Sequence, residues 1–343
     1  METIRLTTRE SDLERAGEII RSGGLVAFPT ETVYGLGADA LNAEAVASVY
    51  EAKGRPSDNP MIVHIANATD LYNLIDGGIM GMSDEASKLI INLWPGPLTL
   101  IFKKSEIVPD VTTGGLDTIA IRMPSNPTAR KLIKTTGRPI AAPSANLSGR
   151  PSPTTADDVL EDMDGRIDAI IMGEQCDVGI ESTVVDMTGD IPRILRPGAV
   201  TKEKLTAILK KKVLYDSSLL KDHQDEAEPG ADAPDAEFRP KSPGMKYKHY
   251  SPDAKVRIIE GDGEEFREKA KSLGLEARER GQKVAILDYD DDPGKAAHKL
   301  FADLRELDRQ GYDLVLIRAL AKSGFGFSVM NRMLRSAGYD VIK

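Results

Sequence analysis

Cysteine and histidine are scarce in this chain, and that scarcity argues against two kinds of site. The 343 residues include one cysteine, Cys176, and four histidines. A single cysteine cannot form a disulfide framework, and so few cysteines and histidines argue against a zinc enzyme. One cysteine suits a reducing compartment, and we expect Cys176 to be a small buried hydrophobic residue.

Other common features are missing as well. No apolar run approaches the ~18 residues of a transmembrane helix. The opening Met1–Arg5, followed by acidic residues, lacks the apolar core of a signal peptide. The chain has no Walker A sequence, no serine-nucleophile elbow and no His-Glu-x-x-His motif. We therefore expect a cytoplasmic protein without a membrane span, whose chemistry does not rest on those motifs.

Positive charge is in overall deficit. The formal net charge of −9 argues against an extended nucleic-acid-binding surface, because such surfaces are basic. A local basic groove remains compatible with this balance. A hydrophobic content of 41% and a charged content of 29% are typical of a globular protein. At 343 residues the chain is too long for one typical domain, so we expect two.

Short apolar runs bounded by Gly, Pro and polar residues predict the strands of a first domain. The predicted strands are Leu25–Phe28, Met61–Ile65, Leu98–Phe102, Thr118–Arg122, Ile140–Ala142, Ala169–Met172, Thr183–Asp186 and Arg193–Leu195. The predicted helices are Leu13–Arg21, Ala43–Lys53, Asp84–Leu93, Pro127–Thr135, Ala156–Met163 and Lys202–Lys211. The late strands follow each other directly, so the sheet should be mixed rather than purely parallel.

The chain from 213 to 252 differs in composition and predicts a linker. Seven acidic residues and no Lys or Arg lie between Asp222 and Glu237, which is typical of a solvated segment. The segment becomes basic and aromatic at Lys246–Tyr250, between prolines. That change fits either the end of a passive spacer or a segment with its own function. We expect one domain at 1–212 and another at 253–343.

Strands and helices alternate beyond the linker. The predicted strands are Val256–Ile259, Val284–Leu287 and Leu314–Ile317, and the predicted helices are Gly263–Arg280, Pro293–Gln310 and Gly326–Ala337. Short connections between alternating elements predict a small parallel sheet with right-handed crossovers. The acidic run Asp288–Asp292 follows a strand and could bind Mg²⁺, although such loops are more often simply solvated.

The stretch from Phe28 to Asn59 predicts an anion-binding site. Hydroxyl groups lie where a short strand ends, and two cations lie where a helix ends: Thr30, Thr32, Tyr34, Lys53 and Arg55. Gly35 and Gly37 would let the backbone approach a ligand. A helix C-terminus favours cations, and Gly54 and Pro56 should hold the intervening arginine in a rigid turn. Taken alone, these cations could equally be a solvated helix end.

Polar or cationic side chains recur at other strand ends of the first domain, next to Pro or Gly. They are His64, Arg122, Ser144, Asn146, Ser182 and Arg196. Charge buried in a strand is costly unless it is paired or meets a ligand. Each residue alone could be structural, but the set indicates an anionic, hydroxyl-bearing substrate of modest size.

Four motifs of the first domain together resemble the YrdC-type domain. They are Pro29–Leu36, Lys53–Pro56, Pro143–Asn146 and Glu181–Thr183. The segments Ser242–Pro252 and Val329–Met333 resemble the two-domain L-threonylcarbamoyladenylate synthase family. The resemblance covers nearly the whole chain except the acidic segment, and it rests on the set of motifs, since no single one is specific. Met61, where many relatives have leucine, is a conservative departure.

The resemblance implies an α/β fold with an N-terminal YrdC-like twisted mixed sheet and flanking helices. A smaller C-terminal Rossmann-like parallel α/β domain would follow. It also implies a nucleotidyltransferase that converts L-threonine, bicarbonate and ATP into threonylcarbamoyl-AMP and diphosphate, with Mg²⁺ arriving with ATP. A partner tRNA threonylcarbamoyl transferase complex would pass the group to an adenosine beside the anticodon. We expect a monomer with at most a weak tRNA contact of its own.

Roles for individual residues come from the same resemblance. Thr32, His64, Arg122 and Ser182 would bind threonine. The residues implied for ATP are Lys53, Arg55, Asn59, Thr118, Ala142, Ser144, Asn146, Ser152, Arg196 and Tyr247. Among them Lys53 and Arg55 would be catalytic, and no protein metal site is expected. Tyr247 and His249 would fold over the nucleotide as a lid, because water destroys a carbamate and a mixed anhydride.

Two alternatives come from other classes. A carbamoyl-adenylate enzyme of hydrogenase maturation shares the YrdC-type domain, but its cysteine-rich zinc motifs are incompatible with one cysteine. A non-catalytic module that binds tRNA or double-stranded RNA would need a basic surface. An acidic chain whose cations lie beside Pro and Gly turns fits a small-anion site better.

Overall fold

The structure is a computed structural model that describes residues 2–220 and 250–343. These ranges form two α/β units, each built on its own sheet. The first sheet is mixed and the second is parallel, which confirms the fold class expected from the sequence. The boundaries at 212 and 252 remain a prediction, because most of the expected linker lies outside the described residues. Within the described ranges, every helix is too short or too polar to cross a membrane.

The first unit contains an 11-stranded sheet flanked by helices. Its strands are β1 (Ile4–Leu6), β2 (Val26–Phe28), β3 (Gly35–Asp39), β4 (Ile62–His64), β5 (Leu98–Lys103), β6 (Thr118–Arg122), β7 (Ile140–Ala141), β8 (Ala169–Ile171), β9 (Thr183–Asp186), β10 (Arg193–Arg196) and β11 (Leu214–Tyr215). Its helices are α1 (Glu10–Arg21), α2 (Ala43–Lys53), α3 (Asp84–Leu93), α4 (Pro127–Thr136), α5 (Ala156–Met163), α6 (Lys202–Leu209) and α7 (Ser217–Leu220). Short 3-10 helices cover Ala68–Asn73, Gly78–Gly81 and Asp110–Thr113.

Strands that are distant in sequence are neighbours in this sheet, whose order is β1-β8-β2-β3-β7-β4-β6-β5-β9-β10-β11. β4 and β6 are parallel, whereas β5 runs antiparallel to β6 and β7 runs antiparallel to β4. Register therefore brings the end of β4, the end of β6 and the start of β5 to the same edge. Chain segments more than a hundred residues apart can meet there.

The strand β3 was not predicted from the sequence, where its glycines indicated a ligand loop. Glycine is depleted in strands, so a five-residue run with two glycines gives a weak strand signal. The structure gives the two glycines different functions. Gly35 lines a cleft, whereas a methyl group on Gly37 would lie 2.8 Å from both the Phe28 ring and the Ile140 side chain. Gly37 is thus required by packing rather than by a ligand.

The second unit is a four-stranded sheet in the order β13-β14-β12-β15, with every pair parallel. Its elements are β12 (Lys255–Ile259), α8 (Gly263–Glu279), β13 (Val284–Leu287), α9 (Pro293–Arg309), β14 (Leu314–Arg318), α10 (Gly324–Ser336) and β15 (Val341–Ile342). The acidic loop after β13 is paired within this unit: Asp288 and Asp291 contact Arg318, and Asp290 contacts Lys295. The solvated interpretation of that loop fits these ion pairs.

The two units share apolar contacts. Val33 and Ile180 of the first unit belong to one buried cluster with Phe301 and Met330 of the second. In return, Phe327 of α10 packs into the core of the first unit, with its ring 4.7 Å from that of Tyr215. The second unit is therefore docked against the segments around residues 33 and 180, which adjoin the cleft described below.

The tight packing of Gly37 yields a prediction about stability. We expect Gly37→Ala to lower the free energy of unfolding by ~1–3 kcal/mol, because the added methyl group must displace the Phe28 ring or Ile140. Urea unfolding monitored by circular dichroism measures the loss. Gly189→Ala is the matched control, since a methyl group there meets no atom within 4 Å. Equal stability of the two variants would contradict this account of β3.

Candidate active site

A polar cleft lies where the edges of several strands of the first sheet converge. It encloses about 620 Å³ of empty space, part of which is open to solvent. Its walls come from the β2–β3 turn, β4, β6, the segments after α2 and β7, and the residues flanking β9 and β10. The lining residues are Thr30, Thr32, Val33, Gly35, Arg55, Ile62, His64, Arg122, Ala142, Pro143, Ser144, Asn146, Arg150, Ser152, Glu181, Ser182, Arg196 and Tyr250.

Strand register assembles the part of the cleft expected to bind threonine. Arg122 is the register partner of His64 on one side and of Thr99 on the other. The hydroxyl of Thr99 lies 2.8 Å from that of Ser182, just before β9. Thr32 completes the group, because its hydroxyl accepts a 2.8 Å hydrogen bond from Nη1 of Arg122. The structure thus brings all four predicted threonine-binding residues to one wall of one cleft.

Arg122 is buried and faces a buried carboxylate. Its Nη2 lies 2.7 Å from Oε1 of Glu31, although the two groups are misaligned for a hydrogen bond. Burial by itself would raise the pKa of Glu31, but the guanidinium holds it below its usual value. Nε of Arg122 donates to the Gly96 carbonyl at 3.3 Å. A guanidinium has five N–H groups, so the contacts with Thr32, Glu31 and Gly96 leave donors of Arg122 for a ligand.

His64 is a neutral residue within this wall. Burial, together with the positive charge of Arg122, lowers the pKa of the imidazole to about 3. Its Nδ1 lies 3.1 Å from the carbonyl of Ile62. A neutral imidazole can offer a hydrogen bond to a substrate without adding to the positive charge beside it.

The segment after β7 forms the opposite wall and is held by a buried lysine. Lys53, at the end of α2, donates from Nζ to the carbonyl of Ser144 at 2.5 Å and to the carbonyl of Asn146. Burial, followed by the charge of Arg55, lowers the Lys53 pKa well below its usual value. Lys53 does not line the cleft: it lies behind the Ser144–Asn146 backbone, whose side chains do.

Arg55 follows directly on the turn that the sequence predicts. Gly54 is left-handed, with φ of 59°, and ends α2. Nη2 of Arg55 donates to the carbonyls of Asn59 at 3.2 Å and Pro60 at 3.0 Å. Its buried Nε has no hydrogen-bond partner among the described residues. Burial lowers the Arg55 pKa to about 10, and the nearby Arg196 contributes to that shift.

Arg196 closes the cleft at the end of β10. It donates from Nε to the Ser182 carbonyl at 3.0 Å and from Nη2 to the Ser182 hydroxyl at 3.1 Å. Burial lowers its pKa to about 10 as well. Arg55, Arg122 and Arg196 therefore converge on one small space, where their mutual repulsion favours an anionic ligand.

The remaining predicted residues lie in different places. Ala142 and Ser152 line the cleft, whereas Asn59 and Thr118 do not. Asn59 is buried beneath Arg55, and its Oδ1 has no hydrogen-bond partner among the described residues. Thr118 is at the far end of β6 from Arg122. Tyr247 and His249 fall outside the described residues, so the lid remains a hypothesis.

Sequence reasoning assigned no individual role to several residues that shape the cleft. Glu31, Arg150 and Tyr250 are the main examples. The first belongs to the Pro29–Leu36 motif, but its partner is 91 positions away, which no local pattern reveals. Tyr250 lines the cleft and stacks on Phe301 of α9, with ring centroids 5.1 Å apart. The aromatic residues before Pro252 were the one available signal.

A protein-bound metal does not fit this cleft. Its carboxylates are already engaged, Glu31 by Arg122 and Glu181 by Arg332. Across residues 2–220 and 250–343, no group of three His, Cys, Asp or Glu side chains could hold a metal ion. A divalent cation would thus need most of its ligands from a substrate or from water.

Two family models match this chain along nearly all of its length. The model described as "Telomere recombination" matches residues 18–198. The model described as "Threonylcarbamoyl-AMP synthase, C-terminal domain" matches residues 200–338. The threonylcarbamoyl-AMP synthase of Pyrococcus abyssi is 43% identical over 99% of this chain and 98% of its own. That of Bacillus subtilis is 41% identical over 99% of this chain and 97% of its own.

Two solved structures resemble the whole chain. P. abyssi Sua5 complexed with L-threonine is 42% identical and superposes with a TM-score of 0.88, covering 100% of this chain and 98% of its own. A variant of P. abyssi Sua5 with a pair of alanine substitutions is also 42% identical, with a TM-score of 0.89 over 99% of this chain and 98% of its own. Sequence and fold thus agree across both units.

The buried imidazole predicts a pH-dependent stability. Unfolded histidine takes up a proton below about pH 6.5, whereas folded His64 does so only near pH 3. Its stabilising contribution is therefore complete above pH 6.5 and is lost as the pH falls towards 3. For each unit that the pH falls within this window, the free energy of unfolding of wild type should drop by ~1.4 kcal/mol more than that of His64→Gln. Urea titrations at pH 7, 6, 5 and 4 measure the difference, and parallel curves would contradict the assignment.

Proposed function

Since this chain belongs to the two-domain threonylcarbamoyl-AMP synthase family, we propose that its cleft joins L-threonine, bicarbonate and ATP into threonylcarbamoyl-AMP and diphosphate. The chain is an ATP-using nucleotidyltransferase, and its family serves the threonylcarbamoyladenosine modification of tRNA. One observation of the cleft carries the substrate proposal: Arg55, Arg122 and Arg196, three of the four arginines that line it, lie close together among hydroxyl groups and the Asn146 amide. A full-length neighbour solved with L-threonine supports the amino acid.

The reaction needs no nucleophile from the protein. The threonine amine adds to CO₂ derived from bicarbonate and loses a proton, which gives a carbamate. A carbamate oxygen forms a bond to the α-phosphorus of ATP, the bond from that phosphorus to the bridging oxygen breaks, and diphosphate leaves. The protein contributes by holding two anionic reactants together and by stabilising charge on the phosphates.

We assign threonine to the wall formed by Thr32, His64, Arg122 and Ser182. The donors left on Arg122 would receive the threonine carboxylate, and the buried ion pair with Glu31 orients the guanidinium. The neutral imidazole and the two hydroxyl groups suit an amine and a hydroxyl. This arrangement would place the threonine nitrogen towards the open middle of the cleft, where carbon dioxide can reach it.

ATP is assigned to the opposite wall and its arginines. The proposed contacts that line the cleft are Arg55, Ala142, Ser144, Asn146, Ser152 and Arg196. The buried Nε of Arg55 has no hydrogen-bond partner among the described residues, which supports a phosphate contact there. Lys53 would act indirectly, because it holds the Ser144–Asn146 backbone that carries ATP-binding side chains. A bound polyphosphate would raise the lowered pKa of Lys53. Asn59, Thr118 and Tyr247 keep their proposed ATP roles from the family resemblance alone.

Magnesium enters this proposal only as part of the substrate. The cleft offers no free carboxylate for Mg²⁺, so the ion would be carried by ATP phosphate oxygens and water. Arg55 and Arg196 would then share with it the neutralisation of the phosphates. Because the protein supplies no cage, the ion should leave with diphosphate.

The remaining expectations from the sequence, about partners, oligomeric state and location, stay proposals. They are bicarbonate, a tRNA threonylcarbamoyl transferase complex that consumes the product, a weak tRNA contact, a monomeric state and a cytoplasmic location. The alternative of a non-catalytic RNA-binding module has less support, because Arg122 and Arg196 are buried within the cleft and not spread over a surface.

Substrate analogues test the function and the threonine wall together. Pyrophosphate release should require threonine, bicarbonate and ATP. Serine should be used ~10–200-fold less efficiently if Val33 or Ile62 meets the threonine methyl group, and 2-aminobutyrate should do worse because a hydroxyl partner stays unpaired. The measurement is kcat/KM for each amino acid. Release without threonine would refute the function, whereas equal use of 2-aminobutyrate would refute only the hydroxyl contact.

Arg55→Ala tests the phosphate wall. Loss of one charge-assisted contact removes ~1.5–3 kcal/mol of transition-state stabilisation, so kcat/KM for ATP should fall about 10- to 100-fold. Melting should change little, because Arg55 lies on a turn outside the apolar core. Arg138→Ala, with a side chain 54% exposed and outside the cleft lining, is the control and should keep wild-type kinetics. Wild-type turnover by Arg55→Ala would remove this residue from the site.

A further inference from the structure

Two arginines of the second unit are completely buried at the interface with the first. Arg305 of α9 and Arg332 of α10 each have a relative exposure of 0%, and each faces a carboxylate of the first unit. A buried guanidinium is costly unless its charge and its N–H groups are matched. Their partners therefore indicate what the two side chains do.

Arg332 reaches the back of the cleft through Glu181. Its Nε lies 3.1 Å from Oε2 of that residue, and its Nη1 donates to the Pro197 carbonyl at 2.5 Å. The other carboxylate oxygen, Oε1, accepts a 2.5 Å hydrogen bond from the Ser152 hydroxyl. Glu181 immediately precedes Ser182, so a single carboxylate joins α10 to both walls of the cleft.

Arg305 holds the opposite wall by a similar arrangement. Its Nη2 donates to Oδ2 of Asp162 at 2.7 Å and to the carbonyl of Pro151 at 2.7 Å. The same Oδ2 accepts the backbone N–H of Leu147 at 3.0 Å, and Arg150 contacts Oδ1. The segment 144–152, which carries Ser144, Asn146 and Ser152, is thereby held at Leu147, Arg150 and Pro151. Arg150 of the first unit and Arg305 of α9 share the charge of Asp162.

We propose that Arg332 and Arg305 are positioning residues of the synthase: acting through Glu181 and Asp162, they fix from the second unit the two cleft segments that carry the substrate-binding side chains. Neither arginine lines the cleft. The inference rests on the proposed function for what these segments bind, and it gives the second unit a part in catalysis.

Docking alone does not explain these arginines. The apolar contacts of Val33, Ile180 and Phe327 already hold the units together. Buried ion pairs are often replaceable by neutral groups of similar size with no loss of stability. What a neutral pair cannot supply is the set of hydrogen bonds by which one guanidinium spans the Glu181 carboxylate, the Glu181 carbonyl and the Pro197 carbonyl, and which fixes the Glu181–Ser182 backbone. Preorganisation of binding groups depends on such supporting contacts.

The experiment separates positioning from docking. Arg332→Met, Glu181→Gln and the double variant are compared in the full chain for melting temperature, kcat and kcat/KM for threonine and ATP. We expect Arg332→Met to melt earlier, because it leaves Glu181 charged and unpaired. The double variant should recover the wild-type melting temperature while kcat/KM for both substrates stays at least ~10-fold low.

Arg332→Lys provides a conservative comparison. It keeps the positive charge opposite Glu181 and so should fold, but a single ammonium cannot span both Glu181 and Pro197. Its kcat/KM should lie between those of wild type and Arg332→Met. Arg257→Met removes an arginine–carboxylate pair within the second unit, with Asp340, and is the matched control for the loss of an ion pair. It should keep wild-type kinetics.

Recovery of both melting temperature and activity in the double variant would overturn the proposal, since the pair would then serve docking only. If the methionine variants do not fold, wild-type kinetics of Arg332→Lys overturns it in the same way. Wild-type protein is assayed in parallel. If it makes no threonylcarbamoyl-AMP, the proposed function has failed; if wild type and double variant are equally active, only the positioning role has.

Discussion

Arg55, Arg122 and Arg196 lie close together in a cleft that is partly open to solvent, and the repulsion among them is the constraint to which the surrounding structure responds. Burial lowers the pKa of Arg55 and of Arg196, which means that keeping these side chains charged in the cleft costs free energy. Glu31 offsets part of the positive charge through its ion pair with Arg122, and the low pKa of His64 keeps the imidazole uncharged. The repulsion that remains favours an anionic ligand in the cleft.

The side chains of the cleft lie on short segments, and those segments are held by residues that are not part of the cleft lining. Lys53 fixes the segment after β7 through two backbone carbonyls, and Asp162 fixes its continuation. The chain thus places charge–charge strain at the centre of the cleft and rigid supports around it, which suits catalysis by positioning.

Sequence reasoning predicted most of the elements that have clear apolar patterns and caps. The helix α2 is an example, since Asn42 accepts hydrogen bonds from Glu44 and Ala45 as its pattern predicts. The same reasoning missed β3, because two glycines in five residues give a weak strand signal, and Gly37 is there to pack against Phe28. It brought together the strand-end residues by their type, but it could not see that Lys53 lies behind the wall. Pairs such as Glu31 with Arg122 and Glu181 with Arg332 depend on register and docking, which local patterns do not encode.

The interface between the two units also implies an order in which the parts of the cleft are completed during synthesis. A chain emerges from the ribosome beginning with its first unit, and domains generally fold as they appear. Until α9 and α10 have been made, Glu181 lacks Arg332, and Asp162 has Arg150 but not Arg305. Val33 and Ile180 also lack their apolar cover. The cleft therefore has its full set of supporting contacts only after α9 and α10 have been made. A truncated product of interrupted synthesis carries the substrate-binding motifs but not their supports, so it should bind ATP poorly and compete little with the complete enzyme.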